Sequence, residues 1–293
     1  MATADGFADR WFKSADGLTL HARDYGAEGT SGRLPVVCLP GLARTAADFH
    51  DLALHLAPER RVVVVESRGR GRSERDPDWR HYDIPHELAD LLAGLAALGI
   101  ARAIFVGTSR GGLLTMALAT QRPGTIAGAV LNDIGPVIEL DGLKRIASYV
   151  GKLATPADWT AAAAALKASG SDHFPALSDA DWRALAGAMW REEDGRLVLD
   201  YDPAIGNTLS AVDLTTAMPP AWPLFDALPQ VPLLVLRGER SDILSAATAA
   251  AMASRRPAAT VLEVPGQGHA PLLRGALLAP LAEFIRRCDP PPA

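Results

Sequence analysis

Ser109 stands in Gly107-Thr108-Ser109-Arg110-Gly111-Gly112, directly after the apolar run Ala103-Ile104-Phe105-Val106 and directly before Leu113-Leu114-Thr115-Met116-Ala117-Leu118. That order reads as strand, sharp turn, helix, with the serine at the apex. Glycine two positions to either side leaves room for a turn tight enough to lift the hydroxyl clear of the backbone. A serine hydroxyl is a poor nucleophile at neutral pH. Acyl chemistry therefore needs a general base within hydrogen-bonding reach, usually an imidazole oriented by a carboxylate. Of the seven histidines, His269 lies in Pro265-Gly266-Gln267-Gly268-His269-Ala270-Pro271, a glycine-bounded loop just past the last strand-like run. Loops at the C-terminal ends of strands are where an open α/β sheet presents its reactive groups. His21, His50, His55, His81, His86 and His173 lie in helical or cap-like sequence or on an early hairpin, and read as surface or structural residues.

For the orienting carboxylate, Asp242 follows the run Val231 to Leu236 and gives the chain order Ser109, Asp242, His269, which is nucleophile, acid, base. Glu239 competes in the same loop. Asp133, in Asn132-Asp133-Ile134-Gly135-Pro136 after the preceding run, is the alternative acid, since a carboxylate from that loop also reaches the imidazole. Acyl transfer further requires donors for the developing oxyanion. The backbone N–H groups of Arg110, next after the nucleophile, and of Leu42, in Leu39-Pro40-Gly41-Leu42-Ala43-Arg44, are the candidates, with Gly41 letting the chain turn toward the site.

These residues need a scaffold, and the pattern around them supplies one. Short continuous apolar runs bounded by Gly or Pro, the signature of buried parallel strands, occur at Leu34 to Leu39, Val62 to Val65, Ala103 to Val106, Ala129 to Leu131, Val231 to Leu236 and Thr260 to Val264. Trp11 to Lys13 and Leu18 to Tyr25 flank Ala15-Asp16-Gly17 and predict an antiparallel hairpin ahead of them. Helical spacing at Ala46 to Leu56, Pro85 to Leu98, Arg110 to Gln121, Ala246 to Arg255 and Gly275 to Arg287 predicts crossover helices, hence a mostly parallel sheet wrapped on both faces. The rhythm breaks between Gly135 and Pro229. That stretch is Ala- and Trp-rich with no convincing buried strand, and reads as a helical insertion. Its tryptophans (Trp159, Trp182, Trp190, Trp222) fit the insertion's own core better than a ligand pocket.

Composition excludes several classes. The chain has 293 residues, 48% hydrophobic and 22% charged, which is too apolar for a disordered chain. A net charge of −5 leaves no electrostatic footprint for nucleic acid or an anionic membrane. No apolar window is long enough for a spanning helix, and Met1 to Lys13 lacks the plan of a signal peptide, so a cytoplasmic location is expected. Cys38 and Cys288 have no CxxC or Cys/His neighbourhood, which argues against disulfide scaffolding and zinc. Glu66-Ser67-Arg68-Gly69-Arg70-Gly71-Arg72-Ser73 lacks the third glycine of a dinucleotide loop and the Lys-Ser/Thr of a P-loop. With Glu74, Asp76 and Asp78 interleaved, it reads as a solvated, internally compensated loop.

Taken together, the chain from about Gly17 to Cys288 resembles the α/β-hydrolase superfamily in its serine-nucleophile branch, close to carboxylesterases and enol-lactonases. Pro40-Gly41, Arg68-Gly69-x-Gly71-x-Ser73, Gly107-x-Ser109-x-Gly111-Gly112 and Gly268-His269 carry the likeness. The resemblance implies an α/β fold with an eight-stranded, mostly parallel sheet, a core of residues 1–134 and 230–293, and a helical cap of residues 135–229. It implies Ser109, Asp242 and His269 as triad, Leu42 and Arg110 as oxyanion donors, and a small-molecule ester or lactone as partner, with no cofactor or metal. Carbon–carbon bond hydrolysis, perhydrolase or acyltransferase activity, and ligand binding without turnover are the other functions the fold serves. A serine nucleophile departs from the aspartate of epoxide hydrolases and haloalkane dehalogenases. Arg110 replaces the usual uncharged neighbour, its guanidinium free either to pair with a carboxylate such as Asp133 or to point away, and Pro40 replaces the histidine common in esterases.

Overall fold

The computed structural model describes residues 5–26 and 32–290; residues 1–4, where the segment read as lacking a signal peptide begins, lie outside it. The hairpin β1 (Phe7–Lys13) and β2 (Thr19–Tyr25) leads into β3 (Val36–Leu39), α1 (His50–Leu56), β4 (Val62–Glu66), α2 (Ile84–Ala97), β5 (Ala103–Thr108), α3 (Arg110–Gln121) and β6 (Ile126–Asn132). The intervening segment carries α4 (Leu140–Tyr149), α5 (Trp159–Gly170), α6 (Asp179–Gly187), the strands β7 (Trp190–Glu193) and β8 (Arg196–Leu199), α7 (Gly206–Ser210) and α8 (Trp222–Asp226). The chain then completes the sheet with β9 (Leu233–Gly238), α9 (Ala246–Arg255), β10 (Thr260–Val264) and α10 (Leu278–Arg287).

The eight-stranded sheet has the order β1-β2-β4-β3-β5-β6-β9-β10. β1 and β2 are antiparallel, β2 is antiparallel to β4, and the remaining neighbours are parallel, as expected. Alternate side chains feed two cores. Val36, Cys38, Val62, Val64, Ile104 and Val106 pack on the face covered by α1 and α10. Val37, Leu39, Val63, Val65 and Phe105 pack on the other, under α2 and α3. Caps fix the helix starts, with Asp83 accepting from His86 N at α2 and Ser245 from Thr248 N at α9. Cys38 and Cys288 are free and buried, and burial pushes the Cys288 thiol up to about 12. No helix among the described residues is long and apolar enough to cross a membrane.

Two expectations change. The segment between β6 and β9 is not purely helical, because β7 and β8 form a hairpin with Glu193 opposite Arg196. Asp194 and Gly195 turn it with φ of 49° and 73°, the positive values that a two-residue Asp-Gly turn supplies. The arginine loop after β4 is compensated but only partly solvated: Arg72, Glu74 and Arg75 are exposed, whereas Arg68, Arg70, Ser73 and Asp76 are buried. Arg68 is buried, with Nε and Nη2 each 2.7 Å from the Asp90 carboxylate and Nη1 at 2.6 Å from Asp76 and 2.9 Å from Asp16. Arg70 is buried as well, and Glu66 behind it accepts from His21, Ala46 N and Arg72 N. Most of these partners come from other elements, so the loop is drawn inward.

Residues 200–202 stitch the intervening segment to this loop, through Gly71 N donating to Asp200 O at 2.8 Å and Asp202 N to Gly69 O at 2.7 Å. Burial, reinforced by the charge of Glu66, raises the Asp200 carboxyl from the ordinary 3.8 to about 6, and Arg191 at 3.8 Å offsets it only in part. A folded-state value above the unfolded one favours folding with the proton bound; that advantage is complete below about pH 4 and is lost as pH rises through about 6. Asp200→Asn should therefore raise unfolding free energy by about 1–3 kcal/mol at pH 8, with the gain vanishing by pH 4, as read by denaturant unfolding at both pH values. Equal gains at both would contradict the assignment.

Candidate active site

The turn from β5 into α3 holds Ser109 at φ 51°, ψ −115°, a backbone conformation that side chains rarely adopt. The residues two positions to either side must be glycine. A Cβ on Gly111 would come to 1.9 Å from Leu39 O, and one on Gly107 to 2.4 Å from the Gly111 backbone. The hydroxyl is thereby presented at the N-terminus of α3, beyond the C-terminal edge of the sheet.

His269 Nε2 lies 2.9 Å from Ser109 Oγ. Its Nδ1 lies 2.8 Å from Asp133 Oδ2. An ionised carboxylate only accepts, so the neutral ring carries its proton on Nδ1 and leaves Nε2 to accept from the serine hydroxyl. Asp133, fully buried, follows β6 directly and turns back at φ 57°. Gly238 N donates to its Oδ1 at 2.8 Å, and Ser241 Oγ to its Oδ2 at 2.5 Å, so the carboxylate is held from the β9 loop while it holds the imidazole.

Asp242, the first choice from chain order, is not the carboxylate hydrogen-bonded to His269 in this geometry. Arg145 of α4 takes both its oxygens, Nε to Oδ2 at 2.5 Å and Nη2 to Oδ1 at 2.8 Å. Gly142 of the same helix packs on it so closely that a Cβ there would lie 2.1 Å from Asp242 O. Burial alone would raise the Asp242 carboxyl, but the Arg145 guanidinium outweighs it and holds the group below its ordinary value. Glu239 instead accepts from Gly266 N at 2.6 Å, bracing the loop that carries His269.

Of the two backbone groups expected at an oxyanion, Arg110 N–H follows the serine directly and Leu42 N–H follows Gly41. Arg110 opens α3, and Gly41 lies close enough that a Cβ would be 3.9 Å from Ser109 Cβ. The Arg110 guanidinium does not pair with Asp133. It turns away to Glu87 Oε2 at 2.7 Å and Tyr82 O at 3.0 Å. Glu87, fully buried on α2, also has Arg70 Nη1 as an ion-pair partner at 2.7 Å, and Arg70 Nε donates to Leu42 O at 2.7 Å. One carboxylate thus ties the loop before the site to the residue after the nucleophile. Burial would raise Glu87, yet Arg110 and Arg70 together hold it low.

Ser109 and His269 open into a cavity of about 400 Å³ roofed by the segment between β6 and β9. Leu42, Ile146, Leu153, Phe174, Trp182 and Met189 make most of its wall apolar. Of the four tryptophans in the segment, Trp182 alone is among the lining residues, and it is also part of the core. His173, Arg145 and Tyr149 line the cavity too, and no local motif marked them. Because the fully buried Glu87 separates two guanidinium groups, Glu87→Gln should cost about 3–5 kcal/mol in denaturant unfolding, whereas the exposed Glu74→Gln should leave the unfolding midpoint almost unmoved. Equal small losses would show that the network is not structural.

Residues 36–281 match the model of the alpha/beta hydrolase family. Over 251 residues the chain is 34% identical to the 3-hydroxybutyrate-oligomer hydrolase of Cupriavidus necator, covering 80% of this chain and 82% of that one. It is 29% identical over 254 residues to the 2-(acetamidomethylene)succinate hydrolase of Mesorhizobium japonicum, covering 86% and 85%. An alpha/beta hydrolase crystal structure from Novosphingobium aromaticivorans superposes with a TM-score of 0.90 at 46% identity, covering 98% of this chain and 99% of that one. With the sheet order, the serine turn and these likenesses in agreement, the chain belongs to the alpha/beta hydrolase family.

Proposed function

We propose that this protein is a serine hydrolase that cleaves aliphatic carboxylic esters, linear or cyclic, through an acyl-enzyme on Ser109. The observation that carries the reading is the unbroken chain Ser109 Oγ, His269, Asp133 at the floor of a mostly apolar cavity. In this reading His269 takes the hydroxyl proton as Ser109 attacks the carbonyl carbon. The tetrahedral oxyanion is received by Leu42 and Arg110 N–H. The imidazolium then returns the proton to the leaving alcohol, and Asp133 stabilises it throughout without being protonated. Water repeats the sequence to release the acid. Residues 135–229 act as the cap that excludes bulk water from the acyl pocket.

Asp133 is the orienting acid of this proposal, replacing Asp242. Likeness to a 3-hydroxybutyrate-oligomer hydrolase supports an ester of a short hydroxy acid among the possible substrates.

Release of p-nitrophenol from acetate, butyrate and octanoate esters tests the proposal. Ser109→Ala should abolish turnover. Asp133→Asn should lower kcat by about a thousandfold or more, because the amide imposes the wrong imidazole tautomer, while Asp242→Asn should cost far less. Turnover that survives Ser109→Ala, or an Asp242→Asn loss equal to that of Asp133→Asn, would overturn it.

A further inference from the structure

The acyl cavity has few charged side chains in its wall besides the catalytic imidazole: Arg44, Asp48, Arg145 and His173. Arg44 and Asp48 are paired with each other, Nε to Oδ2 at 2.7 Å, and both line the cavity, so their charges cancel within it. Arg145 differs. Its partner Asp242 is not among the lining residues and engages only the Nε and Nη2 edge of the guanidinium. Neither bond to Asp242 uses Nη1, and the side chain is 29% exposed. Tyr149, one turn further along α4, lines the cavity beside it, and Asp242 above all, with Tyr149, raises the guanidinium's affinity for its proton. An apolar pocket therefore carries a fixed cation whose counter-charge stands behind the wall.

We propose that Arg145, with Tyr149 beside it, binds a carboxylate of the substrate, so that the preferred ester is an anionic one bearing a free acid group. The inference rests on the ester-hydrolase reading and names its substrate class. A planar guanidinium already pinned along one edge is pre-organised: little side-chain entropy is lost when its other edge takes a carboxylate. Asp242 is then a positioning residue for Arg145 rather than part of the proton relay.

The test compares mono-p-nitrophenyl glutarate with its methyl ester, two substrates of similar length differing in one charge. Wild type should favour the anionic ester in kcat/KM. Arg145→Met should lower the anionic-to-neutral ratio about 10–100-fold, the range for a lost charge-assisted hydrogen bond, chiefly through KM. Arg145→Lys should retain part of the preference. Asp242→Asn, which leaves the guanidinium but loosens the edge that pins it, should lower the ratio less than Arg145→Met does. If Arg145 served only to hold α4, its loss would weaken both esters alike and leave the ratio unmoved, which would overturn the proposal. A second readout does not depend on turnover. Monomethyl glutarate should bind the Ser109→Ala protein in titration calorimetry and fail to bind the Ser109→Ala, Arg145→Met protein. Absent binding in the first, or equal binding in both, would also overturn it. Loss of Ser109-dependent turnover on both esters with Arg145-dependent binding intact would reject the ester reading and leave the carboxylate subsite standing.

Discussion

The close approach of α3 to the end of β3 constrains everything around the site. Gly111 touches the Leu39 carbonyl where no side-chain carbon fits, and Gly107 is pressed equally hard from the other side. With the helix start jammed against the sheet, the intervening residue has one way to turn, and Ser109 adopts its positive φ because the packing on both sides over-determines it. That position then sets where an imidazole must come from. The loop after β10 is the one that places His269 Nε2 against the hydroxyl. The strained turn is the fixed point, and the site is arranged around it.

A second layer of order comes from ion pairs centred on the buried Arg68 and Glu87. Arg68 gathers three carboxylates, and Glu87 joins two arginines whose other contacts reach Leu42 and the nucleophile turn. Breaking such pairs is expensive because it leaves an uncompensated charge, so their value lies in specifying one arrangement of loops rather than in net stability. The catalytic turn has little apolar surface of its own with which to hold its surroundings. Fixed charges on α2 and the loop after β4 do that instead.

Most of the scaffold was legible because its signals are local. Apolar runs gave strands and α3 was readable to its ends, since glycine spacing and helical periodicity act over a few residues. The motifs that bring Ser109 and His269 together were legible for the same reason. The carboxylate that meets His269 was not. Asp133 and Asp242 each follow a strand of the same sheet, and chain order ranks them without showing which one another helix has claimed. Arg145, from the segment where the strand rhythm is lost, claimed Asp242. The arginine loop was misread on similar grounds. Its carboxylates at Asp16 and Asp90 are 52 and 22 residues from Arg68, so a reading of neighbouring charges could not see that Arg68 is buried. The β7–β8 turn did carry an Asp-Gly signal, set among charged residues that hid the strands beside it.

The two cysteines bear on how the segment between β6 and β9 could be watched. Cys38 lies inside the sheet and Cys288 at the C-terminal end of α10, and burial pushes both thiols up, far from the thiolate form that reacts. The chain is a natural blank for thiol-directed probes. A fluorophore or spin label on a cysteine introduced at an exposed position of α5, such as Trp159, would report on that segment alone, against a silent native background.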